Sequence, residues 1–213
     1  MNQVTIVDYG IGNLFSVAHA FRHCGATVTL AETAQQIRDA ERLVLPGVGA
    51  FQVGMQELRQ RHLVEPILQF VTRARPFLGI CLGMQMLFGA SEEFDGDRGL
   101  DLIPGPVQRI PATTKNGLAH KIPHIGWNRL RKPASQPDWS KSLLKYLNED
   151  SAVYFVHSYT GAPLEPKDRL ADCDYGGRLI SAVVARENLF GCQFHPEKSG
   201  ANGLKIIEAF LEL

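Results

Sequence analysis

The chain has 213 residues, with 22 basic and 22 acidic side chains, 45% hydrophobic residues and 21% charged ones. That length supports one domain with a sizeable core, and the composition is that of an ordinary folded protein rather than a disordered or fibrous one. The charge balance leaves no positive field to gather nucleic acid, and no apolar run approaches the ~20 residues of a membrane helix, so polyanion-binding and membrane-spanning functions are excluded at this level.

In chain order, Val4 to Val7 reads as a short β-branched strand ending at Asp8, followed by Gly10, Gly12 and a helical pattern over Leu14 to Cys24 that Gly25 stops. Thr27 to Leu30 predicts a second strand, Thr33 caps a short helix through Ala40, and Leu43 to Leu45 is a buried strand cut off by Pro46 and Gly47. Phe51 to Phe70 has helical periodicity interrupted by Pro66, and Pro76 to Ile80 predicts a strand running directly into an apolar helix over Leu82 to Phe88. Beyond Asp95 the segments shorten and alternate: Gly105 to Ile110, Val153 to Val156, Leu179 to Val184 and Phe190 to Phe194. Asp174 to Gly177 and Arg186 to Asn188 read as hairpin turns, Pro133 to Asp138 as a polar loop, and Leu204 to Leu213 as an amphipathic helix. These elements predict a single α/β domain over residues 1–213, flavodoxin-like, with a mixed, mainly parallel central sheet flanked by helices and additional antiparallel strands in the C-terminal half.

Cys24, Cys81, Cys173 and Cys192 show no C-x-x-C spacing and no tight grouping with histidines, so no metal site is expected, and no cofactor. They read as reduced thiols. With no basic and apolar leader ahead of Val4, the expected location is cytoplasmic.

Gly79-Ile80-Cys81-Leu82-Gly83 has the form of a nucleophile elbow with cysteine as the nucleophile. A sharp strand-to-helix turn strains the nucleophile's backbone and leaves no room for side chains two positions to either side, which is where the glycines stand. Cys81 then sits at a helix N-terminus, where free N–H groups favour a thiolate and the N–H of Leu82 can hold a developing oxyanion. A buried cysteine in a glycine-flanked turn would give the same five residues, so the distinction rests on a base. Phe194-His195-Pro196-Glu197 supplies a candidate: the strand ends at His195, and proline stiffens the segment so that Glu197 can fix one imidazole nitrogen while the other faces the cysteine. Alone, this could be a strand-end histidine beside a solvated glutamate. An elbow cysteine followed much later by strand-His-Pro-Glu is a more specific combination.

With these motifs the sequence resembles the class I, triad-type glutamine amidotransferases over essentially its whole length, and within them the glutaminase subunits that serve histidine biosynthesis. The specific pieces are Asp8 to Asn13, Leu45 to Phe51, Gly79 to Gln85, Pro123 to Asn128, Tyr154 to Tyr159 and His195 to Ser199. The resemblance implies that Cys81 attacks the side-chain carbonyl of L-glutamine, that His195, oriented by Glu197, passes a proton to departing ammonia, and that water hydrolyses the thioester. It implies an oxyanion site from the backbone of Val48, Gly49 and Leu82. Gln85 and Glu93 would hold the polar groups of glutamine, and backbone around Ser158 and Tyr159 its amino-acid end. It also implies a heterodimer with the cyclase subunit of imidazole glycerol phosphate synthase, through a face that includes Asn13, Trp127, Tyr154 and Lys198. A buried Lys198 would pair there with a partner carboxylate. Read singly, Asn13 is better taken as an N-cap, Trp127 and Tyr154 as core aromatics, Lys198 as a solvated charge and His157 as a structural strand histidine. The segment Gly200-Ala201-Asn202-Gly203 lacks the glutamine expected beside Ser199. Two other readings stay open: a glutaminase subunit of another synthase, which would carry a different oxyanion strand, and a non-catalytic or redox-sensing flavodoxin-like module.

Overall fold

A computed structural model describes residues 2–94, 96–135 and 137–213. Asp95, where the predicted character of the chain changes, and Gln136, within the loop expected over Pro133 to Asp138, lie outside the described residues. The first half alternates strand and helix as its apolar spacing predicts: β1 (Gln3–Val7), α1 (Leu14–His23), β2 (Thr27–Ala31), α2 (Ala34–Asp39), β3 (Leu43–Leu45), α3 (Phe51–Gln60), α4 (Val64–Val71), β4 (Phe77–Ile80) and α5 (Leu82–Gln85). There follow β5 (Phe88–Ser91), β6 (Asp97–Arg98), β7 (Ile103–Arg109), β8 (His124–Arg129), β9 (Ala152–His157), β10 (Tyr159–Gly161), β11 (Arg169–Tyr175), β12 (Arg178–Arg186), β13 (Leu189–Cys192) and α6 (Gly200–Leu211).

The central sheet has seven strands in the order β11-β12-β13-β4-β3-β1-β2. Strands β2, β1, β3, β4 and β13 are mutually parallel, which is the 2-1-3-4-5 order of flavodoxin-like sheets, and β12 and β11 extend that edge antiparallel. Because side chains alternate across a strand, the sheet separates two cores. Ile6, Leu78 and Ile80 pack on one face with Phe21 of α1 and Phe210 of α6; Val7, Leu45 and Phe77 pack on the other with Phe51, Leu58 and Phe70 of α3 and α4. A smaller sheet, β10-β7-β5-β6, and the antiparallel pair β8-β9 lie beside it.

The cap at Thr33 forms as predicted and is a full capping box, its side chain accepting from the Gln36 N–H and the Gln36 amide oxygen accepting from the Thr33 N–H. Both hairpins form too: Gly176 and Gly177, at φ +65° and +77°, make the two-residue turn between β11 and β12, and Glu187-Asn188 joins β12 to β13.

Several boundaries differ from the sequence expectation: α6 begins at Gly200 rather than Leu204, β7 begins at Ile103 rather than Gly105, and three others change the layout. The α3-α4 break falls at His62, φ +57°, rather than at Pro66, which sits in the first turn of α4 where a missing N–H costs little. The helix after Cys81 stops at Gln85 instead of Phe88. The N–H of Leu100 takes the carbonyl of Met86, those of Leu102 and Ile103 take the carbonyl of Leu87, and Phe88 enters β5. Met84, Met86, Leu87 and Phe88 are fully buried, and an apolar run buried on all sides has no period to separate helix from strand. The strand expected over Phe190 to Phe194 ends at Cys192; the Gln193 side chain points to Cys81 while Phe194 packs edge-on against Phe155.

Candidate active site

At the C-terminal end of β4 the chain reverses into α5 through Cys81, whose backbone sits at φ +54°, ψ −107°. For a residue with a Cβ this conformation costs about 1–3 kcal/mol, and it persists only where the surroundings enforce it. They do so by close approach. A Cβ on Gly83 would lie 1.8 Å from the Leu45 carbonyl oxygen, and one on Gly79 would lie 2.7 Å from the Gly83 carbonyl oxygen. The Cys81 N–H donates to the carbonyl of Cys192 at 2.7 Å, tying the elbow to β13.

His195 comes to the same place from β13 and is fixed along its backbone by β9. Its N–H donates to the Tyr154 carbonyl at 3.0 Å, while the Ser199 hydroxyl donates to the His195 carbonyl at 2.7 Å and accepts from the Tyr154 N–H at 3.0 Å. Its Nδ1 lies 2.8 Å from Glu197 Oε1, and both side chains are buried. That leaves Nε2 on the side of Cys81, which shares the cavity wall with the ring. Burial works against a charged ring here. The neighbouring Cys81 and Glu197 outweigh it and push His195 up to about 10. The ring thus lies between a sulfur and a carboxylate, both of which favour its protonated form.

These groups open onto a cavity of about 270 Å³ lined by Val48, Gly49, Leu82, Gln85, Glu93, Ser158, Tyr159 and His157, among others, with Cys81 and His195 at its wall. Every residue predicted for the oxyanion backbone and for glutamine binding borders it. Gly49 adopts φ +96° at the rim. Glu93 Oε2 accepts from the Phe51 N–H at 2.6 Å, holding the carboxylate at the start of α3. Gln85 donates through Nε2 to the Tyr159 carbonyl at 3.0 Å and to Gln193 Oε1 at 3.2 Å, and Gln193 Nε2 lies 4.0 Å from Cys81 Sγ. Gln193 is fully buried and was not flagged by any motif.

The Tyr159 carbonyl also fixes a second chain. A carbonyl only accepts, so His157 Nδ1 donates to it at 2.8 Å; His157 Nε2 then accepts from His124 Nδ1 at 3.1 Å, and His124 Nε2 from Asn128 Nδ2 at 3.3 Å. Both histidines are thereby neutral. Burial, aided by His120, pulls His124 down to about 4; burial also dominates at His157 and takes it to about 3 despite the hydrogen bond to Tyr159. His157 borders the cavity, but both its ring nitrogens are engaged, which matches a structural strand histidine.

The four residues predicted for a partner face lie outside the cavity. Asn13 caps α1, accepting from the Ser16 N–H at 3.2 Å, and adjoins a small crevice shared with Pro46, Val48 and Glu197. Trp127 is not a core aromatic: it is 59% exposed and meets the half-buried Tyr154 edge-on across the β8-β9 pair. Lys198 is exposed rather than buried, because the turn over Pro196–Lys198 directs Glu197 inward and leaves its neighbour at the surface.

All four cysteines are free. Burial pushes the thiols of Cys173 and Cys192 far up, holding them protonated, and raises Cys24 as well, so Cys81 alone among them faces the cavity. Among the described residues, no three His, Cys, Asp or Glu side chains converge as they would around a metal ion.

A model of the family "Glutamine amidotransferase class-I" matches residues 5–213. The imidazole glycerol phosphate synthase subunit HisH 1 of Legionella pneumophila (strain Paris) is 54% identical over 213 residues, covering all of both chains. The subunit HisH of Geobacillus thermodenitrificans is 43% identical over 211 residues, which cover 99% of this chain and 96% of that one. Among solved structures, PurLQS from Thermotoga maritima superposes with a TM-score of 0.74 at 17% identity, over 99% of this chain and 97% of that one, a likeness of fold.

Proposed function

The chain belongs to the class I glutamine amidotransferases, and from that premise we propose that residues 1–213 form one amidotransferase domain, the glutaminase subunit of an imidazole glycerol phosphate synthase. It hydrolyses L-glutamine to glutamate and ammonia and delivers the ammonia to a cyclase subunit in histidine biosynthesis. The placement of Cys81 and His195 at the wall of one cavity, with Glu197 buried against the far nitrogen of His195, carries this reading. The relatives described above bear the name of this synthase subunit, not that of another glutaminase or a regulatory module.

His195 takes the thiol proton of Cys81 as the sulfur attacks the side-chain carbonyl carbon of glutamine. The carbonyl oxygen becomes an oxyanion that backbone N–H groups at Val48, Gly49 and Leu82 receive. Collapse of this adduct breaks the C–N bond as His195 Nε2 protonates the leaving nitrogen, releasing ammonia and a glutamyl thioester. The neutral ring then takes a proton from water, whose oxygen attacks the thioester; glutamate departs and Cys81 recovers its proton. Splitting one hard displacement into two is what covalent catalysis contributes. Glu197 holds the ring's tautomer and balances its charge.

Gln85 and Glu93 hold the ligand's polar groups, with backbone at Ser158 and Tyr159 at its amino-acid end. Asn13, Trp127, Tyr154 and Lys198 form part of the face that meets the cyclase, where an exposed Lys198 is free to pair with a partner carboxylate. Among the described residues no helix is long and apolar enough to cross a membrane. A cytoplasmic location accords with four free thiols.

Glutamate release by the purified chain, alone and with a histidine-pathway cyclase and its nucleotide ligand, tests the proposal. We expect release that rises with the liganded cyclase and vanishes in Cys81→Ala. No release under any condition overturns the chemistry. A rate indifferent to the cyclase keeps the chemistry and discards the pathway.

A further inference from the structure

Two hydrogen-bond chains converge on the Tyr159 carbonyl, and the polarity of one of them reaches the reacting sulfur. Because that carbonyl only accepts, the side chain of Gln85 must present its nitrogen to it. The same nitrogen lies 3.2 Å from Gln193, so Gln193 must present its oxygen to Gln85. The remaining end of the Gln193 amide, its nitrogen, then faces Cys81 Sγ at 4.0 Å. One backbone carbonyl thus dictates the orientation of two side-chain amides. Gln193 has little freedom to depart from it: the residue is fully buried, its N–H donates to the Ala182 carbonyl at 2.9 Å, and the fully buried Phe194 follows.

We propose that Gln193 is a positioning residue of the glutaminase site, directing an N–H at the Cys81 sulfur and locking Gln85 so that only its carbonyl oxygen remains for a ligand. This rests on the reading of Cys81 as the nucleophile toward glutamine. Both hydrogens of the Gln85 amide are spent on Tyr159 and Gln193, so what Gln85 offers the cavity is an acceptor. An acceptor there favours a ligand amide or ammonium and opposes a carboxylate. The side-chain amide of the substrate satisfies it, whereas the carboxylate generated by hydrolysis meets oxygen with oxygen. The N–H of Gln193 favours negative charge on sulfur, both before attack and when the thioester is cleaved. A buried Met or Leu at the same position would fill the space and do neither.

Three variants at Gln193, with Gln85→Met alone as the reference for the double one, separate these roles. Gln193→Glu keeps an acceptor for Gln85 and removes the donor to sulfur; Gln193→Met removes both at similar volume; Gln193→Met with Gln85→Met tests whether the two act as a unit. Two quantities are read on protein whose folding is checked by circular dichroism. The first is kcat and KM for glutamine with the cyclase present. The second is the pH dependence of iodoacetamide labelling at the Cys81 peptide, measured without glutamine.

We expect Gln193→Met to lower kcat/KM roughly tenfold or more, and both single variants to shift the half-maximal labelling of Cys81 to higher pH. The KM of Gln193→Glu should stay nearer the wild type than that of Gln193→Met. The double variant should be no worse than about twofold below the poorer of Gln193→Met and Gln85→Met, as expected for groups that act together. Labelling profiles and kcat/KM within about twofold of wild type in folded variants would overturn the inference while leaving the glutaminase reading intact. If the wild type releases no glutamate, that reading fails, and the labelling profile still decides whether Gln193 acts on the sulfur. Should Gln193→Glu not fold, Gln193→Met and the double variant carry the test.

Discussion

Glu197 reaches the chemistry only through His195, which makes it the residue where the electrostatic argument can be tested without touching the nucleophile. Its Oε1 lies 2.8 Å from Nδ1 with the carboxylate buried, and His195 is up at about 10 in part because of that charge. Glu197→Gln keeps the shape and removes the charge, so we expect kcat/KM for glutamine to fall by roughly 10²- to 10⁴-fold, with circular dichroism unchanged, measured as glutamate release in the presence of the cyclase. At this scale the grouping of Cys81, His195 and Glu197 was legible in the sequence because an elbow needs its glycines and a base needs a fixed strand end. Gln193 was not, since nothing in a single sequence tells a buried amide aimed at a sulfur from one on the surface. Tyr9 escaped for the same reason: it is fully buried with its hydroxyl on the Pro46 carbonyl at 2.8 Å, beneath the segment predicted to receive the oxyanion.

The β8-β9 pair shows how an element can hide from pattern reading. His124 faces His157, Gly126 faces Phe155 and Asn128 faces Val153 on the inner side; Ile125 with Val156 and Trp127 with Tyr154 form the outer. On β8 the inner positions are His124, Gly126 and Asn128 and the outer ones Ile125 and Trp127, the reverse of the alternation that marks a strand, whereas β9 turns the apolar Val153 and Phe155 inward, so Val153 to Val156 was predicted and His124–Arg129 was not. The reversal is stable because the inner polar groups satisfy one another along the chain from Asn128 to the Tyr159 carbonyl. That chain requires neutral rings, which gives a pH dependence of definite sign. His124 and His157 have folded pKa values of about 4 and about 3, below the ordinary 6.5, so as pH falls below 6.5 the unfolded chain binds protons that the folded chain refuses. Their contribution to stability is complete above pH ~6.5 and is lost as pH drops toward ~4. His124→Gln, which can still donate to His157 and accept from Asn128, should flatten the fall in urea-unfolding stability between pH ~6.5 and ~5; an unchanged slope would contradict the neutral chain.

Across the whole molecule, the sheet brings distant segments to one end. The elbow follows β4, the histidine follows β13, and β9 crosses behind the His195 backbone, so a residue on the surface of β9 is joined to the reacting centre by main-chain hydrogen bonds. Tyr154 is that residue, and Trp127 stands across from it, 59% exposed. Exposed aromatics of this kind act as anchors in protein interfaces, and removing one costs about 2 kcal/mol or more of affinity when it is central. Trp127→Ala should therefore weaken cyclase binding roughly thirtyfold, measured by calorimetric titration, while leaving the thermal midpoint of the free chain nearly unchanged. The central parallel order was legible because β1 to β4 are short, apolar and punctuated by glycine and proline. The side sheet β10-β7-β5-β6 was not, because β7 takes its partner β10 from far along the chain and runs parallel to β5, pairings that leave no local trace. What unites site and partner is the fate of one nitrogen. Glutamine carrying a heavy-nitrogen label in its side-chain amide, given to the chain with the cyclase and its nucleotide substrate, tests this by mass spectrometry of the product. The account predicts the label in the imidazole ring of imidazole glycerol phosphate, and its absence when Cys81→Ala replaces the wild type. An unlabelled ring, with glutamate released normally, would contradict the claim that this chain supplies the cyclase.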